Sequence, residues 1–177
     1  MATVSLVDIT DFRERVILSQ NLNSDRIKIA SNLVQEKQLQ RILCTQLYDE
    51  ILSEYPDNLS PANEALMPFI KDFLVFRSYY EYVATGNIQS TPAGFRIANP
   101  TDSVAASSED LQSLGGKALS DANYYQDQLI NFLVKNEDNY PLWKNSSCNC
   151  PADLRPYLRN KFSGIGSPFG YTPIQDT

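Results

Sequence analysis

The chain has 177 residues, of which 42% are hydrophobic, and this is enough for one domain with its own core. Acidic residues outnumber basic ones by 21 to 15, and the formal net charge of -6 argues against binding duplex DNA through a broad basic surface. The sequence contains no run of about eighteen apolar residues, so we predict no membrane-spanning segment. Its first twelve residues, MATVSLVDITDF, lack the basic start and apolar core of a signal peptide. We therefore expect a protein made in a reducing cytoplasm.

The absence of histidine excludes several kinds of catalytic site. Ser-His-Asp and Cys-His nucleophiles, zinc sites with histidine ligands and Glu-x-x-His di-iron bundles all require it. An enzyme of this composition would have to use carboxylates, lysine, tyrosine or cysteine. Nothing in the sequence brings such groups together, and we predict no catalytic residues, no cofactor and no metal.

Three cysteines are too few to form a disulfide framework in a chain of this length. Cys148 and Cys150 form a C-x-C pair, but a zinc site needs four ligands, and no second pair is present. Two incidental loop thiols are the favoured interpretation, with a metal pair as the alternative. Cys44 lies in apolar surroundings and is predicted to be a small buried side chain.

Near the N-terminus, Thr10 and Asp11 are predicted to cap a short helix that ends at Val16 or Leu18. The segment from Ser24 to Tyr55 then has the longest amphipathic pattern in the chain, with a helical period. Its apolar stripe changes phase after Leu43, which predicts two helices with a tight break near Cys44. The stripe consists of Ile27, Ala30, Leu33, Val34, Leu39, Ile42 and Leu43, followed by Leu47, Tyr48, Ile51, Leu52 and Tyr55.

Ser60-Pro61 is a typical helix start, and the helix that follows is apolar on nearly every side, which predicts a central position. Pro68 is expected to kink it, and Gly86 to end it. Residues 87–106 then contain proline, glycine and little helical period. We predict a β-hairpin or extended arm there, with an ordinary surface loop as the alternative.

A second long helix is predicted from residue 107 to about 137. Gly115-Gly116 interrupts its stripe and predicts a kink or close packing against another backbone. The stripe consists of Leu111, Leu114, Ala118, Leu119, Ala122, Tyr125, Leu129, Phe132 and Leu133. Beyond it, a short helix is predicted from Ala152 to Lys161, and then an extended tail that is either disordered or laid on another surface.

These elements predict a mainly α fold, a helical bundle with a short β-hairpin or extended arm and an extended C-terminal tail. We expect one helical domain over residues 1–143, with the arm at 87–106 inserted, and a C-terminal extension over residues 144–177.

The order of segments resembles that of head–tail connector proteins of tailed bacteriophages, the neck or adaptor rings, particularly those of crAss-like phages. The resemblance covers most of residues 5–143. Its sharpest piece is I-L-x-x-x-L-Y-D-E-I, here Ile42 to Ile51, followed by the proline-started aromatic helix, the irregular arm and the tyrosine-rich helix. Similar proteins often have glycine where Cys44 stands.

The resemblance implies a structural virion protein without catalysis, located in the head–tail neck and assembled in the bacterial cytoplasm. It implies a twelvefold ring of this chain that contacts the portal protein and adjacent neck or tail rings, while genomic DNA passes through the channel without specific binding. The arm and tail would make the contacts. The residues expected there are Phe95, Arg96, Ile97, Phe162, Phe169 and Tyr171. The alternatives are a cytosolic helical adaptor that binds one protein partner and, third, an enzyme using carboxylates or the C-x-C thiols.

Overall fold

The computed structural model describes residues 4–18, 24–85, 88–91, 94–97 and 108–146. The described part is mainly helical, as predicted. The helices are α1 (Ile9–Arg15), α2 (Ser24–Val34), a π-helical segment (Gln35–Leu39), α3 (Gln40–Glu54), α4 (Pro61–Thr85), α5 (Ser108–Lys135), a short 3₁₀ helix (Glu137–Asn139) and α6 (Pro141–Lys144). Two four-residue strands, β1 (Ile88–Thr91) and β2 (Gly94–Ile97), pair antiparallel between α4 and α5.

Helix α1 begins two residues earlier than expected, because Asp8 rather than Thr10 is its N-cap. The Asp8 carboxylate accepts hydrogen bonds from the backbone N–H groups of Thr10 and Asp11, and Asp11 accepts one from the N–H of Asp8. This reciprocal capping box satisfies backbone donors that have no partner within the helix. The helix is tied to α4 by two ion pairs, Arg15 Nε to Asp72 at 2.6 Å and Lys71 Nζ to Asp11 at 2.9 Å.

The π-helical segment joins α2 to α3 without a break, and the periodicity of the sequence did not predict it. Its first residue, Gln35, is completely buried. The Gln35 side chain accepts a hydrogen bond from the backbone N–H of Leu6 at 3.0 Å and donates one to the carbonyl of Val4 at 2.7 Å. A buried amide needs such partners, and here they fix the N-terminal segment against the helix.

The predicted break at Cys44 is confirmed. Cys44 has φ 62° and ψ 158°, a backbone conformation populated almost only by glycine, and it is the one non-glycine residue with positive φ in the described part. The indole Nε1 of Trp143 donates a hydrogen bond of 2.9 Å to the carbonyl of Ile42, beside the break. Helix α6, which the sequence analysis did not predict, thus packs against α3 where α3 bends.

Cys44 is buried, as expected, with 1% of its surface exposed. Cys44 is also disulfide-bonded, which the sequence analysis did not predict. Its Sγ also lies 3.1 Å from Ser146 Oγ. The other cysteines of the chain, Cys148 and Cys150, lie outside the described residues.

Helices α4 and α5 form an antiparallel pair whose register is fixed by aromatic stacking. Phe69 stacks on Phe132 with ring centroids 4.4 Å apart, and Phe76 stacks on Tyr125 at 4.1 Å. The two contacts are two turns apart on each helix, so the same helix faces meet along both. Such pairs contribute about 0.5–1.5 kcal/mol beyond the area they bury.

The core lies around the first half of α4, the second half of α5, and α3. Its largest fully buried side chains are Trp143, Phe12, Phe73, Leu6, Ile27, Leu39, Leu43, Leu47, Ile51, Leu66, Ile70 and Leu74. Helix α4, which was expected to kink at Pro68, passes through this residue as one helix. Among the described helices, none is both long and apolar enough to cross a membrane.

Two predicted core residues are exposed instead, Leu33 by 46% and Leu114 by 42%. On α2 the buried face is formed by Ile27, Ala30, Ser31 and Val34, and 100° per residue places Leu33 beside that face. The expected close packing at Gly115-Gly116 is also absent, since a Cβ on either residue would meet no atom of the described part within 4 Å.

The backbone at Cys44 leads to a test with two substitutions that both remove the sulfur. Under reducing conditions, we expect Cys44→Gly to have a larger unfolding free energy than Cys44→Ala by about 1–2 kcal/mol, because glycine adopts this φ and ψ without steric cost. Urea denaturation followed by circular dichroism measures the difference. At Gln46, an exposed helical position of α3, the order should reverse, with Gly less stable than Ala. Equal stability of the two Cys44 variants would contradict the proposed strain.

Candidate interaction surfaces

The six residues predicted to make subunit contacts fall in two parts of the chain. Phe95, Arg96 and Ile97 lie on β2, where they pair with Ser90, Gln89 and Ile88 of β1. In chain order the two strands follow the end of α4 and precede the start of α5. The tail residues Phe162, Phe169 and Tyr171 lie outside the described part of the chain.

The helices α4 and α5 are less buried toward the end of the pair where α4 stops and α5 starts. Ser78 is the last fully buried residue of α4, and Ala118 is the first of α5 among the side chains described. We call the described residues 79–84 and 109–117 the distal end of the pair. The loss of burial there explains why Leu114, which continues the apolar stripe of α5, is exposed.

Tyrosines are concentrated at and beside the distal end. Tyr79, Tyr80 and Tyr82 are half-buried on α4, while Tyr124 on α5 is 57% exposed and packs edge-on against Tyr125 at 5.2 Å. The guanidinium of Arg77 lies 5.1 Å from the ring centre of Tyr80, and it also pairs with Glu81. Tyrosine and arginine are enriched in protein–protein interfaces because they offer apolar area together with polar groups. This surface suits contact with another protein.

A second exposed apolar site lies on α2, where Ile29 is 60% exposed and Leu33 46%. They are four residues apart, so they are neighbours on the helix surface. Lys28 and Lys37 are exposed on the same segment. The sequence analysis missed this site because it assigned Leu33 to the core. The available signal was Ile29, a large apolar residue outside the buried stripe.

A third feature is an acidic end of the bundle, formed where α3 ends and α4 begins. From residue 42 to residue 70 the chain has five acidic residues and no basic one: Asp49, Glu50, Glu54, Asp57 and Glu64. Asp49, Asp57 and Glu64 are exposed.

The other two carboxylates of the acidic end share one buried partner. The side-chain amide of Asn63, 1% exposed, donates to Glu50 at 2.9 Å and to Glu54 at 2.7 Å, and the N–H of Ser60 donates to Glu54 at 3.0 Å. These hydrogen bonds, that of Asn63 first, lower the pKa of Glu54 below its ordinary value of 4.5. Asn63 thus joins α4 to the second half of α3. In the described part, no group of three or more acidic or cysteine side chains is arranged to hold a metal ion.

A family model described as a family of unknown function, DUF6712, matches residues 39–153, about two thirds of the chain. The chain belongs to the DUF6712 family. No curated protein and no solved structure matches it.

The span matched by DUF6712 begins at Leu39, the last residue of the π-helical segment. It includes the break at Cys44, the acidic end, the helix pair with its strands, and α6. It leaves out α1 and α2, and therefore the exposed pair Ile29 and Leu33. The predicted domain boundary at residue 143 falls inside α6, which packs on α3.

The hydrogen bonds to Glu54 predict a pH dependence of stability. Because the folded-state pKa is lowered, these bonds contribute stability that is fully present above pH 4.5 and is lost as pH falls through the lowered folded-state value. We expect the unfolding free energy of the wild type to fall more steeply below about pH 4.5 than that of Glu54→Gln. Urea titrations at a series of pH values measure this.

The control for this experiment is Glu64→Gln, which neutralises an exposed carboxylate on the neighbouring turn and leaves the Asn63 contacts intact. It should follow the wild-type curve. A Glu54→Gln variant with the same acid sensitivity as the wild type would show that these hydrogen bonds do not favour the ionised form of Glu54.

Proposed function

We propose that this protein is a structural subunit of a head–tail connector ring of a tailed bacteriophage of the crAss-like type. Copies of the chain form a ring, expected to be twelvefold, that joins the portal protein to the next neck or tail ring and lines the DNA channel. The proposed role requires no catalysis and no cofactor. Its place is the neck of the virion, after assembly in the bacterial cytoplasm.

The observation that carries this proposal is the backbone at Cys44. The segment from Ile42 to Ile51 is the part of the sequence most similar to connector proteins, and those proteins often have glycine at the position of Cys44. With φ 62° and ψ 158°, Cys44 adopts a conformation that glycine adopts readily and other residues rarely. A glycine at this position would adopt the same conformation without steric cost, and this agreement supports the proposal.

The distal end supports the part of the proposal that concerns contacts. A ring subunit needs surfaces for neighbours on more than one side, and here the burial of α4 and α5 decreases toward the two strands. The half-buried tyrosines of α4 offer contact area, and Phe95, Arg96 and Ile97 follow them in the chain on β2. We propose these three residues as one contact element, and Phe162, Phe169 and Tyr171 of the tail as a second.

The charge of the chain is compatible with a channel wall. At a formal net charge of -6 per subunit, a ring would repel the phosphates of DNA and allow the genome to pass without binding it.

A cytosolic helical adaptor that binds a single partner is the alternative function. The tyrosine-rich distal end favours it, because one such surface is enough for one partner. This alternative requires neither a ring nor contacts by the tail.

The decisive experiment is electron microscopy of this protein co-expressed with the portal protein encoded by its own genome. We expect an additional ring of density stacked on the portal, with the distal end or the tail at the contacts. A bare portal, with this protein migrating separately as a monomer or small complex, would contradict the connector proposal and favour the adaptor. The portal expressed alone is the control.

The tail can be tested separately from the fold. Removal of residues 162–177 deletes all three proposed tail contacts and keeps Cys148 and Cys150. We expect the truncated protein to unfold at the same temperature as the full chain but to add less density to the portal. Removal of residues 172–177 alone, which spares Phe162, Phe169 and Tyr171, is the matched control. Normal assembly of the longer truncation would exclude the tail from the contact.

A further inference from the structure

Cys44, at the break in α3, is disulfide-bonded. The chain has three cysteines, and Cys148 and Cys150 are the other two. Within a single chain, the partner of Cys44 is therefore one of these two, and the remaining cysteine keeps its thiol. A disulfide is unexpected in a protein made in a reducing cytoplasm, where protein disulfides are usually transient and act in catalysis or redox sensing.

The described part of the chain ends next to Cys44. Its last residue is Ser146, whose Oγ lies 3.1 Å from Cys44 Sγ, although the two residues are 102 positions apart in the sequence. From Ser146, an extended chain reaches Cys148 within about 7 Å and Cys150 within about 14 Å. A disulfide requires Cα atoms about 4.4–6.8 Å apart, so both cysteines can reach Cys44.

The helix that leads to this point is short. Helix α6 has four residues, Pro141–Lys144, and it packs against α3 beside the break. The indole of Trp143 donates a hydrogen bond of 2.9 Å to the carbonyl of Ile42. Just before α6, the hydroxyl of Tyr140 donates one of 2.6 Å to the carbonyl of Ala62. A short element near the end of a fold opens locally at a lower free energy than the core does.

We propose that the three cysteines form a redox-sensitive clasp at the break in α3. In the oxidised chain, a disulfide between Cys44 and either Cys148 or Cys150 fastens α6 and the start of the C-terminal extension to α3. In the reduced chain this link is broken, and α6 separates from α3 by local unfolding while the rest of the bundle stays folded. The clasp goes beyond the connector proposal and does not depend on it.

The chemistry of the clasp is thiol–disulfide exchange with a small-molecule thiol and its disulfide. To open the clasp, a thiolate attacks the sulfur of Cys148 or Cys150, because Cys44 is buried, and the Cys44 sulfur leaves and takes up a proton. A second thiolate breaks the mixed disulfide, so that two small thiols become one small disulfide and the protein gains two electrons and two protons. Closing is the reverse reaction, with the small disulfide as oxidant.

The single tryptophan of the chain reports on the clasp. Trp143 is 2% exposed, so separation of α6 from α3 would expose its indole. The test compares the full chain in oxidised glutathione and in dithiothreitol by iodide quenching of tryptophan fluorescence. We expect the quenching constant to rise about twofold or more on reduction. The Tm should fall by about 5–15 °C, because the disulfide closes a loop of about 100 residues.

Substitutions at the C-x-C pair test the clasp without changing Cys44 or the backbone at the break. Cys148→Ser combined with Cys150→Ser removes both possible partners, and this double variant should resemble the reduced wild type in both buffers. Each single substitution leaves one partner and should keep the response to reduction. Loss of the response in just one single variant would support the clasp and identify the partner. The matched control is Asn149→Ser, which lies between the two cysteines and should respond like the wild type.

Peptide mapping of the oxidised wild type should find Cys44 joined to Cys148 or Cys150, and a map with neither link would overturn the clasp. A disulfide between the Cys44 residues of two copies, seen as a dimer in non-reducing electrophoresis, would also overturn it. Equal quenching of Trp143 in the two buffers, or a double variant that still responds to dithiothreitol, would have the same consequence. None of these measurements involves the portal, so the clasp and the connector can fail separately.

Discussion

The hydrogen bond from Trp143 to the carbonyl of Ile42 connects residues 101 positions apart and lies beside the bend in α3. At Cys44 the backbone takes a conformation that costs about 1–3 kcal/mol for a residue other than glycine. A break in a helix also removes the regular partners of nearby carbonyl groups, and a buried carbonyl without a partner costs about 1–3 kcal/mol more. Trp143, itself 2% exposed, supplies one such partner and fills the space beside the bend. The remaining architecture follows from this arrangement, because the bend directs the second half of α3 to the start of α4.

Two buried amides connect the elements on either side of the bend. Gln35 binds the backbone of the N-terminal segment, and Asn63 binds the carboxylates of Glu50 and Glu54. Each of these polar side chains lies in the interior with its partners in place, and removing a partner would leave a buried group without a hydrogen bond. Hydrogen bonds are directional, so these contacts fix the relative position of helices that apolar packing alone would allow to slide.

The helix pair of α4 and α5 changes character along its length. Near the start of α4, side chains from α3 and α6 help to bury it, whereas past Ser78 the described side chains are only partly covered. The stacking of Phe76 on Tyr125 continues the pair beyond the densest part of the core. The strands β1 and β2 follow this part of α4 in the chain, and the tyrosines of α4 there remain partly accessible. A partly exposed apolar surface of this kind contributes little to the stability of one chain. Its burial against a second protein would stabilise the complex.

The sequence by itself determined the helical class, the central position of α4 and the break near Cys44. Apolar periodicity reports which side of a helix is buried, and the change of phase after Leu43 directly marked the bend. The start of α4 at Pro61 and its end before Gly86 were also encoded locally, since proline and glycine act on the backbone of their own turn. The contact roles of Phe95, Arg96 and Ile97 stay a prediction, since the structure gives only their pairing with β1.

Tertiary structure alone decided the rest. Leu33 and Ile29 are both apolar, and only the placement of α2 against its neighbours shows that they face outward. Whether Gly115-Gly116 packs closely depends on what lies opposite, and nothing in the described part does. The contacts of Trp143 with Ile42 and of Asn63 with Glu50 and Glu54 join distant or bent segments, and the π-helical segment is stabilised by the N-terminal backbone that Gln35 binds. Hydrophobic periodicity describes one helix or strand at a time. It therefore does not predict which elements pack together or which partners a buried polar group has.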